Sequence, residues 1–302
     1  EMIRVRVPAT SANLGVGYDC LGMALTLYGP FTFDFSQKGI VVSGCPKEYQ
    51  NADNLVLQAF FSALRAWGLP LPEGVALQID TEIPVARGLG SSASCIAAGV
   101  LAAHAYGRGS ETIDAQEVLR QCLQLEAHPD NLAPAITGGL CASFLSQSAD
   151  DDLPRPFVAT YPIQERYRFV TVIPDYEVHT QKARTLLPKT MRYADAVYQM
   201  GRCAAICKGL ENGDEDLVRH ACTDRMQEPY RKQLIPEYDA VRSLAFANGA
   251  SAFYISGSGP TMIAIVDRSR SEALCAQLAA AYPSWQVHCL SAAEQGGVVE
   301  DE

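Results

Sequence analysis

The sequence contains no apolar run long enough to cross a membrane. A membrane-spanning helix needs roughly 18 consecutive apolar residues, and the longest apolar stretch here, Cys95 to Ala103, is interrupted by Gly99. The first residues, EMIRVRVP, contain no basic segment followed by an apolar one, which a secretory signal would require. We therefore expect neither membrane binding nor export, and a location in the cytoplasm.

The ten cysteines do not form the paired motifs of a zinc site. No C-x-x-C motif occurs, and the closest pair, Cys203 and Cys207, has no matching second pair. A chain of 302 residues is also long enough to form a core without a disulfide framework. We therefore expect reduced thiols, most of them in core positions.

Basic residues are fewer than acidic ones. The chain has 24 Lys and Arg against 34 Asp and Glu, which gives a formal net charge of −10. A protein that binds nucleic acid usually carries a basic face, so we expect no nucleic-acid partner. If the substrate is an anion, its site must gather arginines or lysines locally against the overall charge.

Strand and helix patterns occur in mixed order along the chain. Alternating or aliphatic runs predict strands at IRVRV, FTFDF, VALQID, GGLCASFL, RFVTVIP, SAFYIS, TMIAIV and WQVHCL. Amphipathic runs predict helices at residues 54–68, 91–104, 114–128, 180–187, 193–210, 237–249 and 271–282. This order favours an α+β fold over a doubly wound parallel sheet. The acidic stretch at 146–156 has no periodicity, and we place a boundary there between domains of residues 1–150 and 151–302.

A glycine-rich loop precedes one predicted helix, in the stretch PVARGLGSSASCIAAGVLAAH at residues 84–104. Free backbone N–H groups and the helix dipole attract anions to a helix N-terminus, and glycines let a phosphate approach the backbone. On this stretch alone, a phosphate site and a simple helix cap are equally good interpretations. The loop is not a Walker A motif, because no Gly-Lys-Ser/Thr follows. It matches the Rossmann pattern G-x-G-x-x-A only weakly, because the helix is not followed by the strand that a Rossmann unit needs.

Four stretches together resemble the GHMP small-molecule kinases. They are VPATSANLGVGYDCLG, PVARGLGSSAS, LEAHPDNLAPAITGGL and ISGSGPT. The first and third are similar to the homoserine kinase branch, although Val16 stands where that branch usually has Pro and Ala127 where it often has Gly. The resemblance covers nearly the whole chain. It implies an N-terminal ribosomal-S5-like ATP-binding domain, a C-terminal ferredoxin-like domain and an active site between them.

The resemblance also implies ATP and Mg²⁺ at the glycine loop. The loop residues expected to bind the nucleotide are Pro84, Arg87, Gly88, Leu89, Gly90, Ser91, Ser92, Ala93 and Ser94. Asn54 is expected on the adenine side. Ser92, with Ser91 as a nearby alternative, and Glu126 are expected to bind Mg²⁺, which prefers oxygen ligands. Glu126 could instead be a solvated residue at a helix end.

The acceptor implied by the resemblance is L-homoserine, phosphorylated on its side-chain hydroxyl on the route to threonine. The matching pocket residues are Asn13, Asp19, His128, Asp130, Asn131, Arg184 and Arg225. Acidic side chains would bind the ammonium of the acceptor, and guanidinium groups would bind its carboxylate. Asn131, Asp130 and Thr180 would lie beside the reacting groups, with direct attack by the hydroxyl and no strong base. Thr180 could instead cap a helix, and His128 could be a structural histidine.

Two other functions remain open at this point. One is a GHMP kinase that acts on another small carboxylate-bearing alcohol, and the other is a catalytically silent nucleotide-binding protein. A silent protein would not need to keep Ser92, Glu126 and Thr180 together, which argues against the second. The resemblance allows a homodimer, which is common in that family, without requiring one.

Overall fold

The computed structural model describes residues 1–147 and 154–300. Its strands are β1 (Met2–Ala12), β2 (Leu21–Asp34), β3 (Gly39–Ser43), β4 (Gly74–Ile79), β5 (Leu140–Leu145), β6 (Pro156–Tyr161), β7 (Tyr167–Ile173), β8 (Ala252–Ile255), β9 (Met262–Asp267), β10 (Gln286–Leu290) and β11 (Val298–Glu300). Its α-helices are α1 (Leu55–Ala66), α2 (Ser91–Arg108), α3 (Ala115–Cys122), α4 (Pro129–Thr137), α5 (Thr180–Thr185), α6 (Tyr193–Asn212), α7 (Glu215–Ala221), α8 (Glu228–Arg231), α9 (Tyr238–Ala247) and α10 (Arg268–Ala281).

Two sheets organise the fold. The first has seven strands in the order β11-β1-β2-β4-β3, and β5 joins it by pairing with β2 and then with β6. The long strand β2 serves both parts, because Phe31–Asp34 pair with β4 whereas Leu21–Met23 pair with β5. The second sheet has four antiparallel strands in the order β10-β7-β9-β8.

The structure confirms the alternation of buried and exposed side chains on which the strand predictions rest. In β1, Ile3, Val5 and Val7 are buried in the core whereas Arg4 faces solvent. A period of two places every second side chain on one face of a strand. Helices α2 and α4 lie against this strand, and α1 packs on α2 to complete the same core cluster.

Helix α2 is built from small residues because it lies close to α1. Ala97, Ala98 and Ala102 are fully buried, and a Cβ on Gly99 would overlap the carbonyl oxygen of Val56 in α1. Glycine is therefore required at position 99 by the approach of the neighbouring backbone and not by its own dihedral angles.

One helix is shorter than the sequence predicts. The predicted helix over 114–128 ends as α3 at Cys122, and a second helix, α4, begins at Pro129 with His128 at its N-cap. A proline is accepted in the first turn of a helix, where its missing N–H has no intrahelical partner. This break places residues 126–131 on a loop and a helix start.

The predicted domain boundary at residues 150/151 lies outside the described residues. Two strands after that point, β6 and β11, pair within the first sheet, so sheet membership does not follow chain order. The division into residues 1–150 and 151–302 stays a prediction. Within residues 1–147 and 154–300, no helix combines the length and apolar character that a membrane span requires.

Replacing Gly99 by alanine should lower the free energy of unfolding by about 1–3 kcal/mol, because overpacking against Val56 outweighs the roughly 1 kcal/mol gain in helix propensity. Gly201 in α6 is the matched control, since a Cβ there meets nothing within 4 Å. Gly201→Ala should stabilise the protein by about 0.5–1 kcal/mol. Urea unfolding followed by circular dichroism measures both changes, and stabilisation by Gly99→Ala would contradict the close packing of α1 and α2.

Candidate active site

A cleft of about 170 Å³ lies where the glycine loop, α4, α5 and α8 meet. Most of the residues that the sequence places in a site line this one cleft. They are Asn13, Asp19, Arg87, Gly88, Gly90, Ser91, Ser92, Ala93, Glu126, His128, Asp130, Asn131, Thr180 and Arg184. They come from four separate stretches of the chain, which the fold brings together.

The glycine loop leads directly into the first turn of α2. Gly90 is the N-cap residue with φ of 70°, and it offers no side-chain cap to the helix. Ala86 and Gly88 also have positive φ, 54° and 81°. Because a glycine cap leaves the first N–H groups of the helix for an external acceptor, the loop has the chemistry of an anion site.

Two neighbouring segments hold the loop in place. On one side, the Ser256 hydroxyl donates to the Gly88 carbonyl at 2.6 Å and the Thr261 N–H donates to the Arg87 carbonyl at 3.1 Å. On the other, Thr10 in β1 donates its N–H to the Leu89 carbonyl at 3.1 Å. The second glycine turn, residues 256–261, therefore fixes the conformation of the first.

Glu126 has the features of a cation ligand. Its Oε2 atom is buried and has no hydrogen-bond partner within the described residues. Burial, followed by the charge of Asp130, raises the pKa of Glu126 to about 7. A cation beside this carboxylate would favour its charged form.

The donor set fits Mg²⁺ bound together with a phosphate. A carboxylate (Glu126) and a hydroxyl (Ser92) line the same cleft, and both are oxygen ligands. Among the described residues, no group of three or more His, Cys, Asp or Glu side chains is arranged to hold a metal. The remaining ligands would be phosphate oxygens and waters, as is usual for Mg²⁺ at nucleotide sites.

Opposite charges meet at the other end of the cleft. Arg184 in α5 binds Asp19 through two hydrogen bonds, of 2.9 and 3.1 Å, and also donates to the Tyr18 hydroxyl at 2.9 Å. Asn13 accepts the N–H of Asp19 at 3.1 Å. Asn13 and Asp19 both have positive φ, 80° and 55°, a backbone conformation that is unfavourable for side-chain-bearing residues and often occurs at functional sites.

Helix α4 contributes two polar side chains to the cleft. Asp130 is 6% exposed, and its pKa is raised by burial and then by Asp19, while His128 opposes the shift. The Asn131 side-chain carbonyl accepts a hydrogen bond from the Thr10 hydroxyl at 2.8 Å. Thr180 lines the cleft. It is the first residue of α5, whose N-cap is His179, so Thr180 is not the cap residue of that helix.

Arg231 lines the cleft, although no sequence pattern predicts it as a site residue. It is 2% exposed, and its Nη1 donates to the Gln227 side chain at 2.9 Å and to the Gly257 carbonyl at 3.3 Å. Its guanidinium lies 5.1 Å from the centre of the Tyr18 ring. Burial lowers the pKa of Arg231, and its Nε has no partner within the described residues.

Arg225 lies outside the cleft, in contrast to the expectation from the sequence. It stacks over the Tyr198 ring at 3.7 Å and pairs with Asp195 at 3.3 Å. It lines a neighbouring groove together with Met226. The chain turns into α8 between positions 225 and 231, so the two arginines lie on different sides of this segment.

Four other expected residues do not line the cleft. Asn54 caps α1, because its side chain accepts the Val56 N–H and donates to the Tyr49 carbonyl. Leu89 is fully buried in an apolar cluster, and Ser94 donates to the Ser91 carbonyl. Pro84 precedes the part of the loop that reaches the cleft.

The cleft contains opposite charges in equal number. Its acidic side chains are Asp19, Glu126 and Asp130, and its guanidinium groups belong to Arg87, Arg184 and Arg231. In a chain of net charge −10, this is the local concentration of arginine that an anionic substrate requires.

Comparison with known proteins identifies the family of this chain. The family model "GHMP kinases N terminal domain" matches residues 54–139, and "GHMP kinases C terminal" matches residues 206–284. A homoserine kinase of Clostridium botulinum is 34% identical over 99% of both chains. A homoserine kinase from another strain of that species is 38% identical over 88% of this chain and 87% of its own length.

Solved structures share the whole architecture. The crystal structure of homoserine kinase from Cytophaga hutchinsonii has a TM-score of 0.84 and 27% identity, covering 99% of this chain and 97% of its own. A mevalonate kinase structure with a TM-score of 0.71 and 13% identity, covering 96% and 99%, shares the fold. The two-domain α+β fold and the resemblance found in the sequence are confirmed. The chain therefore belongs to the GHMP kinase family.

Proposed function

We propose that this kinase transfers the γ-phosphoryl group of ATP to the side-chain hydroxyl of L-homoserine, giving O-phospho-L-homoserine and ADP. One observation carries the proposal beyond the family. The cleft that contains the glycine loop also presents the Asp19 carboxylate and the Arg184 guanidinium 2.9 Å apart. An amino acid carries its ammonium and carboxylate on the same carbon, so this adjacent pair offers each of the two groups a partner of opposite charge.

The homoserine kinases among the relatives support the choice of acceptor. Binding would replace the Asp19–Arg184 ion pair by two ion pairs with the acceptor. Asp19 and Asp130 would face its ammonium, and Arg184 and Arg231 would face its carboxylate. Arg231 takes the place that the sequence assigned to Arg225. A guanidinium and a carboxylate form the stronger, charge-assisted hydrogen bonds.

The residues of the cleft mainly orient the reactants and balance charge, as phosphoryl transfer requires. The backbone from Gly88 to Ser92 holds the triphosphate, and Thr180 lies beside the transferred group. Asn131 orients the acceptor hydroxyl. That oxygen bonds to the γ-phosphorus while the bond from phosphorus to the ADP oxygen breaks, and the hydroxyl proton leaves to a phosphate oxygen or water.

Ser92 and Glu126 would hold Mg²⁺. When bound, the ion neutralises charge on the phosphate oxygens. The Glu126 carboxylate, with its pKa near 7 in the free protein, is prepared to lose its proton when a cation arrives. We also place the reaction in the cytoplasm, since all ten cysteines are free thiols and such thiols persist in reducing compartments.

Purified protein with MgATP should release ADP rapidly when L-homoserine is added. D-Homoserine, L-serine, L-threonine, mevalonate and galactose should give little turnover, because each lacks the stereochemistry, the hydroxyl reach or one of the two charges. A coupled ADP assay measures all six, with an acceptor-free reaction as background. Strong turnover with mevalonate would make the acceptor a carboxylate-bearing alcohol without an amine. Tight MgATP binding with no turnover would indicate a silent nucleotide-binding protein.

Asp130→Asn should raise the KM for L-homoserine by about 10- to 150-fold, since it removes a charge-assisted contact of roughly 1.5–3 kcal/mol. Steady-state kinetics with varied acceptor at saturating MgATP measure it. Asp216→Asn is the matched control, because Asp216 is an exposed residue of α7 and should leave the kinetics unchanged. A fall in kcat by several orders of magnitude at constant KM would instead make Asp130 the general base.

Arg231→Lys should raise the KM for L-homoserine about tenfold or more, because an ammonium cannot reproduce the planar, paired contact of a guanidinium. Arg225→Lys is the matched control and should change that KM less than about twofold, since exposed ion pairs contribute little. The same assay with both variants decides between the two arginines. A large effect of Arg225→Lys with none of Arg231→Lys would restore the assignment made from the sequence.

A further inference from the structure

Glu228 is a buried carboxyl group outside the cleft. The residue is 7% exposed and begins α8, the short helix that ends at Arg231. Burial, followed by the charge of Asp224, raises its pKa to about 8. Burying an acid is costly unless it makes compensating contacts, and the proposed reaction does not use this one directly.

The carboxyl group connects α8 to the second sheet. Its Oε1 accepts the backbone N–H of Ile255 at 2.7 Å, and its Oε2 accepts the Tyr238 hydroxyl at 3.3 Å. Ile255 is the last residue of β8, which pairs only with β9 among the described strands. The Ile255 N–H is fully buried at the edge of the sheet, and Glu228 supplies the acceptor that a further strand would otherwise provide.

The same edge holds Arg231. Two residues after Ile255, the Gly257 carbonyl accepts a hydrogen bond from Arg231 at 3.3 Å. Helix α8 is therefore attached to the end of β8 at two points, through its first residue and through its last. The helix between the two attachments has only four residues, so the Glu228 contact lies within one helical turn of Arg231.

We propose that Glu228 is a positioning residue, which holds α8 against the end of β8 so that Arg231 faces the acceptor carboxylate. The proposal rests on the function proposed above. It assigns Glu228 no contact with substrate, and it requires only the acceptor oxygen toward Ile255. Loss of that oxygen should therefore weaken acceptor binding more than nucleotide binding.

Three variants test this. Glu228→Ala removes the acceptor oxygen, Glu228→Gln keeps it, and Tyr238→Phe removes only the longer, 3.3 Å contact. Glu228→Ala should raise the KM for L-homoserine about tenfold or more, with the KM for MgATP within about twofold of the wild type. Glu228→Gln should restore acceptor KM to within about threefold, and Tyr238→Phe should leave it unchanged.

Amide hydrogen exchange provides a reading that does not need catalysis. The Ile255 amide should exchange faster in Glu228→Ala than in the wild type or in Glu228→Gln. Thermal unfolding of each variant separates this local effect from loss of the fold, and kinetics are compared only at temperatures where all variants are folded.

Several outcomes would overturn the proposal. One is an equal rise in the KM for both substrates, and another is Glu228→Gln behaving like Glu228→Ala. Unchanged exchange at Ile255 in Glu228→Ala would also contradict it. A wild-type protein that turns over no acceptor would overturn the proposed function, and this proposal with it. An active wild type whose Glu228→Ala variant shows no selective rise in the KM for L-homoserine would overturn this proposal alone.

Discussion

The whole site depends on the placement of one stretch of backbone, the glycine loop, between two sheets. The Gly88 carbonyl accepts the Ser256 hydroxyl, and a Cβ on Gly88 or Gly90 would overlap Ser256 or Thr10 respectively. These contacts on both sides allow only glycine at positions 88 and 90, and they leave the loop backbone little freedom to move. If the loop binds phosphate through its N–H groups, as proposed above, this fixed backbone would set where the phosphate lies.

The acceptor end of the cleft is attached to the same turn. The Gly257 carbonyl receives hydrogen bonds from Asn13 and from Arg231, both at 3.3 Å, while its N–H donates to Ala12. One peptide segment thus sets the distance between the glycine loop and the groups proposed to bind the acceptor. Phosphoryl transfer is sensitive to such distances, since alignment supplies much of the rate.

The sequence predicts what depends on neighbouring residues and misses what depends on distant ones. Alternation in β1 and the glycine-rich loop before α2 are local patterns, and the structure confirms the strand and the helix that they predict. By contrast, Arg225 and Arg231 are six positions apart in one segment, and only the packing of α8 on β8 shows which of them reaches the cleft. The pairing of β11 with β1 is equally non-local, because the sequence of a short strand does not indicate which other strand it pairs with.

Two buried polar atoms of the cleft have no hydrogen-bond partner among the described residues. Glu126 Oε2 and Arg231 Nε are both buried without a hydrogen-bond partner in the described residues, and both residues line the cleft. Each such atom costs the fold about 1–3 kcal/mol. In the binding mode proposed above, a cation at Glu126 and the acceptor carboxylate at Arg231 would remove those costs, and the free energy recovered would favour the complex over the free protein.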